Sequence, residues 1–357
     1  MPVQRIHISE FLQKAAEGIL LDVRSPGEFQ HAHIPGATSF PLFTDEERKL
    51  IGTTYKQNSR EEAIKIGLDV FGPRMRKMVE SVEKIISEKK DTVLNKPELF
   101  IYCWRGGMRS AAVAWLMDLY GFKVNTLAGG YKTFRNWTIQ TYSAPYPFRL
   151  IGGYTGSGKT ALLKALEQRG ERIIDLEELA GHKGSAFGNI DMKPQPSQEM
   201  FENLLALSLA KYGRDKEGEN LKGHIWLEDE SQRIGLVNLP IQFWEHMRNA
   251  PVFFVEIPFE ERLDNLVQEY GTLDRVKLAN AVQRISKRLG GLATKNTLAF
   301  LEEGNLKEAF RILLEYYDKR YLKGLHNRDA YSALIRRVAC MSVTTENAQM
   351  LTNYQPA

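Results

Sequence analysis

Residues 153–160, in the middle of the chain, constrain the fold more than any other stretch. They match Gly-x4-Gly-Lys-Thr completely. The apolar run 148–151 before them predicts a strand, and residues 161–168 after them predict a helix. A strand, such a loop and a helix in this order form a phosphate-binding loop (P-loop), whose backbone amides wrap a chain of phosphates. The sequence therefore predicts an α/β domain here, with Gly153, Gly156, Ser157, Gly158, Lys159 and Thr160 as its diphosphate-binding residues.

Two side chains of this loop have predicted tasks. Lys159 can reach the terminal phosphates of a ligand, and the Thr160 hydroxyl can hold Mg2+ if one is present. An apolar run at 224–227 stands where a Walker B strand would lie. Glu228 or Asp229 at its end can therefore position Mg2+ or water.

Other residues of this half are predicted to support the same site. A strand predicted over 172–176 places Asp175 on the nucleotide side of the sheet. His182 and Lys183 belong to a polar, cationic loop that suits either an anionic ligand or a solvated connection. Arg262 follows another strand and can reach phosphates or form a surface ion pair.

Cys103, one of two cysteines in the chain, lies in the other informative stretch. Residues 99–102 predict a buried strand, and residues 110–117 predict a helix. Amide groups of the turn between them can converge on an anion, and the field of the helix favours the reactive thiolate. The predicted loop comprises the nucleophile Cys103 with Trp104, Arg105, Gly106, Gly107, Met108, Arg109 and Ser110.

Length and composition limit the remaining choices. At 357 residues the chain exceeds one ordinary core, so we predict domains at 8–140 and 146–357, joined by the proline-containing stretch 141–147. Two cysteines, no long apolar run and a start unlike a signal peptide predict a cytoplasmic protein without a membrane partner. A net charge of +4 permits a nucleic-acid partner but does not establish one.

The first half resembles rhodanese domains in two signatures. One is Leu-Asp-Val-Arg-Ser-Pro-x-Glu-Phe at 21–29, followed by His-Ile-Pro-Gly-Ala at 33–37, and the other is the closing segment 124–131. Cys103 stands where rhodanese domains carry a persulfide or related group, with Asp22 and Arg24 as supporting residues. The chain departs from the pattern at Ala32, usually a glycine, and in a cysteine loop that is one residue longer.

The longer loop leaves other chemistry open. Cys-x5-Arg-Ser is also the signature of cysteine-dependent phosphatases, which normally have histidine where this chain has Tyr102. His31 and His33 suggest a metal site with Cys103, but His33 also fits the structural turn of the rhodanese signature. No metal ligand is assigned.

Two further regions are open to two interpretations each. The polar insert from residue 45 to the helix predicted at 75–89 is either a solvated helical excursion or a substrate-facing surface. From Leu273 onward the chain is predicted to be helical and basic, with interleaved tyrosines, which suits either a folded RNA backbone or a solvated face.

Taken together, these motifs resemble the bacterial tRNA 2-selenouridine synthase family over nearly the whole chain. The likeness rests on 103–110, 52–56, the P-loop, 182–188 and 228–231, although the family usually has arginine where this chain has Lys183. It implies an α/β fold in which a rhodanese-like parallel-sheet domain precedes a P-loop NTPase-like α/β domain with a basic helical C-terminal part.

The resemblance also implies a reaction. Family members replace sulfur by selenium in the wobble 2-thiouridine of tRNA: the sulfur is first alkylated by geranyl diphosphate, and selenium from selenophosphate then displaces geranyl thiol. The P-loop would hold the diphosphate. The Cys103 loop would hold selenophosphate between Arg105 and Arg109, and Cys103 would carry a selenopersulfide. No tightly bound cofactor is implied, Mg2+ is possible, and a protein that supplies selenophosphate is a possible partner.

Two alternative functions remain at this point. One is an ATP-dependent sulfurtransferase or small-molecule kinase with a rhodanese domain. The other is a cysteine phosphatase fused to a nucleotide-binding module.

Overall fold

The computed structural model describes residues 3–88, 97–190, 192–212, 223–328 and 331–354. It divides into two compact units, Met1–Thr141 and Tyr142–Ala357. In the described residues, no helix combines the length and apolar character that crossing a bilayer requires.

A five-stranded parallel sheet forms the centre of the first unit. Its strands are β1 (Gln4–Ile6), β2 (Ile19–Asp22), β3 (Thr38–Ser39), β4 (Leu99–Tyr102) and β5 (Val124–Leu127), in the order β1-β5-β4-β2-β3. Every residue of β2 and β4 is buried, as expected for central strands of a parallel sheet. Strand β4 delivers Cys103 to the carboxyl end of the sheet, where α/β proteins place their functional loops.

Helices surround this sheet and include the long insert. They are α1 (Ile8–Ala15), α2 (Pro26–His31), α3 (Asp45–Gln57), α4 (Arg60–Phe71), α5 (Met75–Glu88), α6 (Met108–Leu119) and α7 (Gly130–Ser143). Helix α1 begins at Ile8, with His7 as its N-cap. Helix α7 also continues through residues 141–143, which were predicted to lie in the joint between the domains.

The second unit is built on another five-stranded parallel sheet. It contains β6 (Phe148–Gly153), β7 (Arg172–Ile174), β8 (Ile225–Glu228), β11 (Val252–Glu256) and β12 (Ile335–Ala339), in the order β12-β11-β6-β8-β7. A small antiparallel pair, β9 (Arg233–Ile234) and β10 (Val237–Asn238), follows β8. The central position of β6 places the P-loop at the middle of the sheet edge, with β8 beside it.

The helices of the second unit are α8 (Lys159–Gln168), α9 (Leu176–Ala180), α10 (Gln198–Ala210), α11 (Ile241–Arg248), α12 (Phe259–Tyr270), α13 (Arg275–Leu289), α14 (Gly291–Glu303), α15 (Leu306–His326), α16 (Tyr331–Leu334) and α17 (Asn347–Thr352). The C-terminal region is therefore helical as far as α16, but Arg336 and Arg337 lie in strand β12. That strand pairs in parallel with β11, a contact between distant segments that local periodicity cannot indicate.

Candidate functional site

The Cys103 loop joins the carboxyl end of β4 to the amino end of α6. Cys103 is 3% exposed, and its Sγ lies 3.2 Å from the Ser110 hydroxyl, which donates to the Gly107 carbonyl at 3.1 Å. The thiol therefore lies at the base of the turn, close to the amino end of a helix, where an anion is stabilised.

Gly106 is required by the close packing of this turn. Its φ is +62°, and a Cβ at this position would lie 2.6 Å from the Leu127 carbonyl oxygen and 3.0 Å from the Gly129 nitrogen. Any side chain would therefore push the loop away from the segment that follows β5.

The two loop arginines differ in their surroundings. The side chain of Arg105 is exposed, whereas Arg109 forms an ion pair with Glu28 of α2, with 2.7 Å between Nη1 and Oε2. Burial raises the pKa of Glu28, but Arg109, the Ser25 amide and Arg48 outweigh it, so the pKa lies below its ordinary value. Arg109 is thus held in place beside the loop by a carboxylate, a partner that the sequence did not reveal.

Asp22 and Arg24 form a buried ion pair beneath the loop. Arg24 Nη2 lies 2.6 Å from Asp22 Oδ2 and donates to the Ala32 carbonyl at 2.7 Å, and the guanidinium stacks 3.8 Å from the centre of the Tyr131 ring. The pair therefore ties β2 to the segments on either side. Ala32 has extended backbone (φ −168°, ψ 149°), so alanine fits where rhodanese domains usually have glycine.

Neither a phosphatase-like histidine nor a metal cluster accompanies the thiol in the described residues. Tyr102 is fully buried, and its hydroxyl accepts a hydrogen bond from the Ile34 amide at 3.1 Å. The His33 ring stacks on Phe29 with 3.9 Å between ring centres. The set of possible metal donors found in the described parts of the chain lies elsewhere and does not include Cys103, His31 or His33.

The P-loop is held by its own side chains and by those of helix α12. The buried Ser157 hydroxyl donates to the Tyr154 carbonyl at 2.5 Å, and Lys159 Nζ donates to the Gly153 carbonyl at 3.2 Å. Asn265 of α12 donates to the Gly156 carbonyl at 3.0 Å. These contacts engage the carbonyls of Gly153, Tyr154 and Gly156 and hold the loop in its turn.

Three carboxylates converge behind the P-loop. The ligand oxygens of Glu177, Glu228 and Glu230 all lie within 4.8 Å of one another. The Thr160 hydroxyl is 2.6 Å from Glu228 Oε1 and 3.3 Å from Glu177 Oε2. The other oxygen of Glu228 is buried and has no hydrogen-bond partner within the described residues.

Burial and mutual repulsion raise the pKa of all three carboxyls. Burial is the larger cause for all three, and a neighbouring carboxylate is the next, so that the pKa of each of Glu177, Glu228 and Glu230 rises to about 8. Oxygen donors of this kind suit Mg2+ or Ca2+. The orphaned oxygen of Glu228 and the adjacent Thr160 hydroxyl show that the residues present fit such a cation.

The loop predicted over 182–185 lies directly against this cluster. A Cβ at Gly184, whose φ is +61°, would lie 2.9 Å from a carboxylate oxygen of Glu177 and 2.9 Å from one of Glu230. Lys183, in contrast, extends to Glu269 of α12 at 2.6 Å. Burial and Arg284 lower the pKa of His182. The loop thus covers the carboxylates with its backbone, while its lysine is bound elsewhere.

Three other candidates have structural contacts instead of an open approach to a phosphate. Asp175 caps helix α9, its Oδ1 accepting from the Glu178 amide at 2.8 Å, so the strand predicted over 172–176 ends at Ile174. Asp229 pairs with the buried Arg328 and accepts from the Tyr321 hydroxyl. Arg262 is buried and pairs with Asp318 at 2.7 Å, so its prediction as a surface ion pair is wrong.

Some of the cationic and tyrosine residues of the C-terminal region therefore have structural roles inside the second unit. Arg328 is buried, and Tyr321 donates to Asp229 while accepting from the Gly153 amide at 3.2 Å. Arg284, Lys287, Arg288, Lys319, Arg320 and Lys323 are exposed and remain candidates for an RNA backbone.

Each of the two units matches a known protein-family model. Residues 8–136 match the model of the rhodanese-like domain, and residues 146–348 match that of the tRNA 2-selenouridine synthase AAA domain. The chain belongs to the tRNA 2-selenouridine synthase family. Both the predicted resemblance and the predicted fold class are thereby confirmed.

Individual relatives support the assignment over most of their length. A tRNA 2-selenouridine synthase of Nitrosomonas europaea is 35% identical, with 88% of this chain and 90% of the relative covered. Relatives of the same name from Sulfurovum sp. (strain NBC37-1) and Bdellovibrio bacteriovorus are 36% and 34% identical, with 87% and 89% of their lengths covered.

The sequence analysis missed Glu177 and Glu230 as site residues. Glu230 lies two positions after the end of β8, and Glu177 follows the short strand β7. Their positions in the sequence could have indicated them, because both glutamates follow strands that end on the same side of the sheet as the P-loop.

The raised carboxyl pKa values predict how pH affects stability. Because each folded-state pKa is near 8 and the ordinary value is 4.5, this contribution to stability is complete below about pH 4.5 and is lost as pH rises through 8. In EDTA, the thermal transition of the second unit should fall more steeply between pH 6 and 8.5 in the wild type than in Glu230→Gln. Calorimetry of the wild type and Glu230→Gln measures the transition temperature at each pH, with the exposed Glu167→Gln as control. Equal dependence of the transition temperature on pH in the wild type and Glu230→Gln would contradict the prediction.

A second prediction concerns the ion pair beneath the Cys103 loop. Arg24→Ala leaves the buried Asp22 carboxylate unpaired and should destabilise the first unit by about 3–5 kcal/mol. Denaturant unfolding of the full chain measures the change. The double variant Asp22→Leu/Arg24→Met should lose less, since no charge is then buried alone. A loss below about 1 kcal/mol in Arg24→Ala would show that the pair contributes little.

Proposed function

We propose that this chain is a tRNA-modifying transferase that converts wobble 2-thiouridine to 2-selenouridine through an S-geranylated intermediate. The supporting observation is that one chain of this family contains a thiol in a turn that binds anions and a P-loop backed by three carboxylates. The first site suits selenophosphate, and the second suits the diphosphate of a prenyl donor.

The alkylation solves a problem of leaving groups. Sulfur doubly bonded to the base departs poorly, whereas an S-alkyl group departs as a neutral thiol. In the first step, the uridine sulfur attacks the first carbon of geranyl diphosphate, the carbon–oxygen bond breaks, and the electron pair leaves with the diphosphate. The amides of the P-loop and the ammonium of Lys159 bind that diphosphate and stabilise its growing charge.

The oxygen donors beside the P-loop suit Mg2+, which could assist this step. Thr160, Glu177, Glu228 and Glu230 would hold it, with carboxyl protons displaced on binding. When bound, the ion would neutralise negative charge on the diphosphate. The residues of the chain itself bind the leaving group through the P-loop amides and Lys159.

The second step replaces geranyl thiol by selenium at the Cys103 loop. A bond forms from selenium to C2 of the base, the C2–sulfur bond breaks, and geranyl thiol leaves with the electron pair and a proton. Loop amides and Arg105 bind the phosphate part of selenophosphate, and Arg109 is held at the same turn by Glu28. No ATP hydrolysis is needed in either step.

The phosphorus product distinguishes two routes for selenium, and only one of them uses Cys103 as the selenium carrier. If its thiolate attacks selenium to form a selenopersulfide, the selenium–phosphorus bond breaks with its electron pair on phosphorus, which leaves as phosphite. A thiol must then reduce the sulfur–selenium bond to release the product. If selenophosphate itself attacks C2, later hydrolysis of the selenium–phosphorus bond gives phosphate without a change in oxidation state.

Cys103→Ser should stop selenium entry and spare geranylation, because the thiol serves only the second step. Mass spectrometry of tRNA nucleosides after incubation with geranyl diphosphate and selenophosphate should show S-geranyl-2-thiouridine accumulating and 2-selenouridine falling by at least about tenfold. Cys340→Ser is the matched control, since Cys340 is 4% exposed and belongs to the second unit. Phosphorus NMR of the wild-type reaction should show phosphite for the selenopersulfide route. Normal selenation by Cys103→Ser would disprove the role of the thiol.

Lys159→Ala should impair geranylation by roughly 100-fold, because the departing diphosphate loses its ammonium partner. The same variant, given RNA that is already S-geranylated, should still incorporate selenium. Lys164→Ala, an exposed lysine in the same helix α8, is the control. Intact geranyl transfer in Lys159→Ala would rule out the proposed diphosphate site, and rapid ATP turnover without tRNA would favour a kinase or ATP-dependent sulfurtransferase.

A further inference from the structure

An apolar groove lies beside the Cys103 loop in the first unit. Its volume is about 590 Å3, within the range of roughly 300–1,000 Å3 that small-molecule sites occupy. Helices α3 and α4 form its walls, and the beginning of α6 closes one end. Ile51, Ile64, Leu68, Phe71 and Met108 are among the apolar residues that line it.

Three large side chains that line this groove are about half exposed to solvent. Tyr55 is 50% exposed, Leu68 56% and Met108 52%. Of the residues in α3, Thr54 is the buried one, so this helix contributes little to the core. Large apolar side chains that remain exposed side by side mark a binding surface more often than a solvated face.

The rim of the groove is strongly positive. Arg48, Lys49, Lys56, Arg105 and Arg109 all line it, and none of the described residues in its lining is acidic. Glu28 contacts Arg109 at 2.7 Å and Arg48 at 3.6 Å, which fixes two of these cations in place. An apolar floor with a cationic rim is complementary to an apolar group that is attached to a polyanion.

The groove is continuous with the proposed selenium site. Arg105, Met108 and Arg109 belong both to the Cys103 loop and to the groove lining. Selenium must reach C2 of the base, and the departing sulfur on that carbon carries the ten-carbon chain. Whatever receives that chain must therefore lie within a few bond lengths of the Cys103 loop.

We propose that this groove binds the geranyl chain of the S-geranylated uridine, and then the departing geranyl thiol, while the basic rim holds the flanking RNA phosphates. The proposal rests on the function proposed above and names the subsite for its second step. Burial of the chain orients C2 toward the loop. The alkyl group then serves both as leaving group and as the feature by which this unit distinguishes alkylated from unmodified tRNA.

The test uses the full chain and short anticodon stem–loop RNAs carrying S-geranyl-, S-dimethylallyl- or S-methyl-2-thiouridine. Affinity is measured without selenophosphate, and selenium incorporation is measured in single turnovers with it. The wild type should bind the geranyl RNA at least about tenfold more tightly than the methyl RNA, with the dimethylallyl RNA between them, since each buried methylene adds to the affinity.

Leu68→Asn is the decisive variant, and Leu50→Asn is its matched control. Leu50 is 55% exposed, lies in α3 and is outside the groove lining, so both changes replace an equally exposed helical leucine. Leu68→Asn should weaken binding of the geranyl RNA by roughly fivefold and leave the methyl RNA unchanged. Leu50→Asn should change neither.

The outcomes separate this inference from the proposed function. Selenation that proceeds with no preference for the longer chain, or with a preference that Leu68→Asn leaves intact, would overturn the groove assignment alone. Absence of selenation with every alkylated RNA would overturn the proposed function and the groove with it. A change in oligomeric state in Leu68→Asn, measured by light scattering, would show that a second copy of the chain covers the groove instead.

Discussion

Two turns in this chain depend on the same physical constraint: backbone amides must converge at the carboxyl end of a parallel strand. Such amides bind an anion only if the surrounding carbonyls are occupied and the turn cannot relax. In the first unit, Ser110 and the close approach of Gly106 meet this need. In the second unit, Asn265 of α12 donates to the Gly156 carbonyl, and the Tyr321 hydroxyl of α15 accepts from the Gly153 amide. The geometry of both turns thus depends on tertiary packing, although short sequence motifs predict where the turns lie.

The sequence predicted the parts of the structure that depend on neighbouring residues. Strand β4, strand β6 and helix α8 follow from apolar runs and glycine turns, so their positions were predicted within one or two residues. The exceptions depend on contacts across the chain. Asp229 accepts a hydrogen bond from Tyr321, which lies 92 residues away in the sequence. The local motif that predicted Asp229 beside a phosphate gives no information about such a distant partner.

The carboxyl groups of Glu177, Glu228 and Glu230 in the second unit lie so close together that the charge of each affects the others. Glu228 alone has the position of a Walker B acid, which the strand pattern indicated. Glu177 and Glu230 change its surroundings, because their half-buried carboxyls lie within 4.8 Å of the buried carboxyl of Glu228 and repel a negative charge there. Protons or a cation must compensate them. Under the proposed function, a cation bound with the diphosphate would displace protons from these carboxyls.

Glu28 gives the two arginines of the Cys103 loop different surroundings. In a turn where two arginines are available, one of them is already neutralised by a carboxylate, and the other, Arg105, is exposed. Under the proposed function, selenophosphate would therefore meet the loop amides and Arg105, and it would compete with Glu28 for Arg109. Arg109 instead joins the rim of the apolar groove. Under the two proposals, this loop would therefore hold the anion through Arg105 and its amides, and it would contribute Arg109 to the groove for the alkylated base.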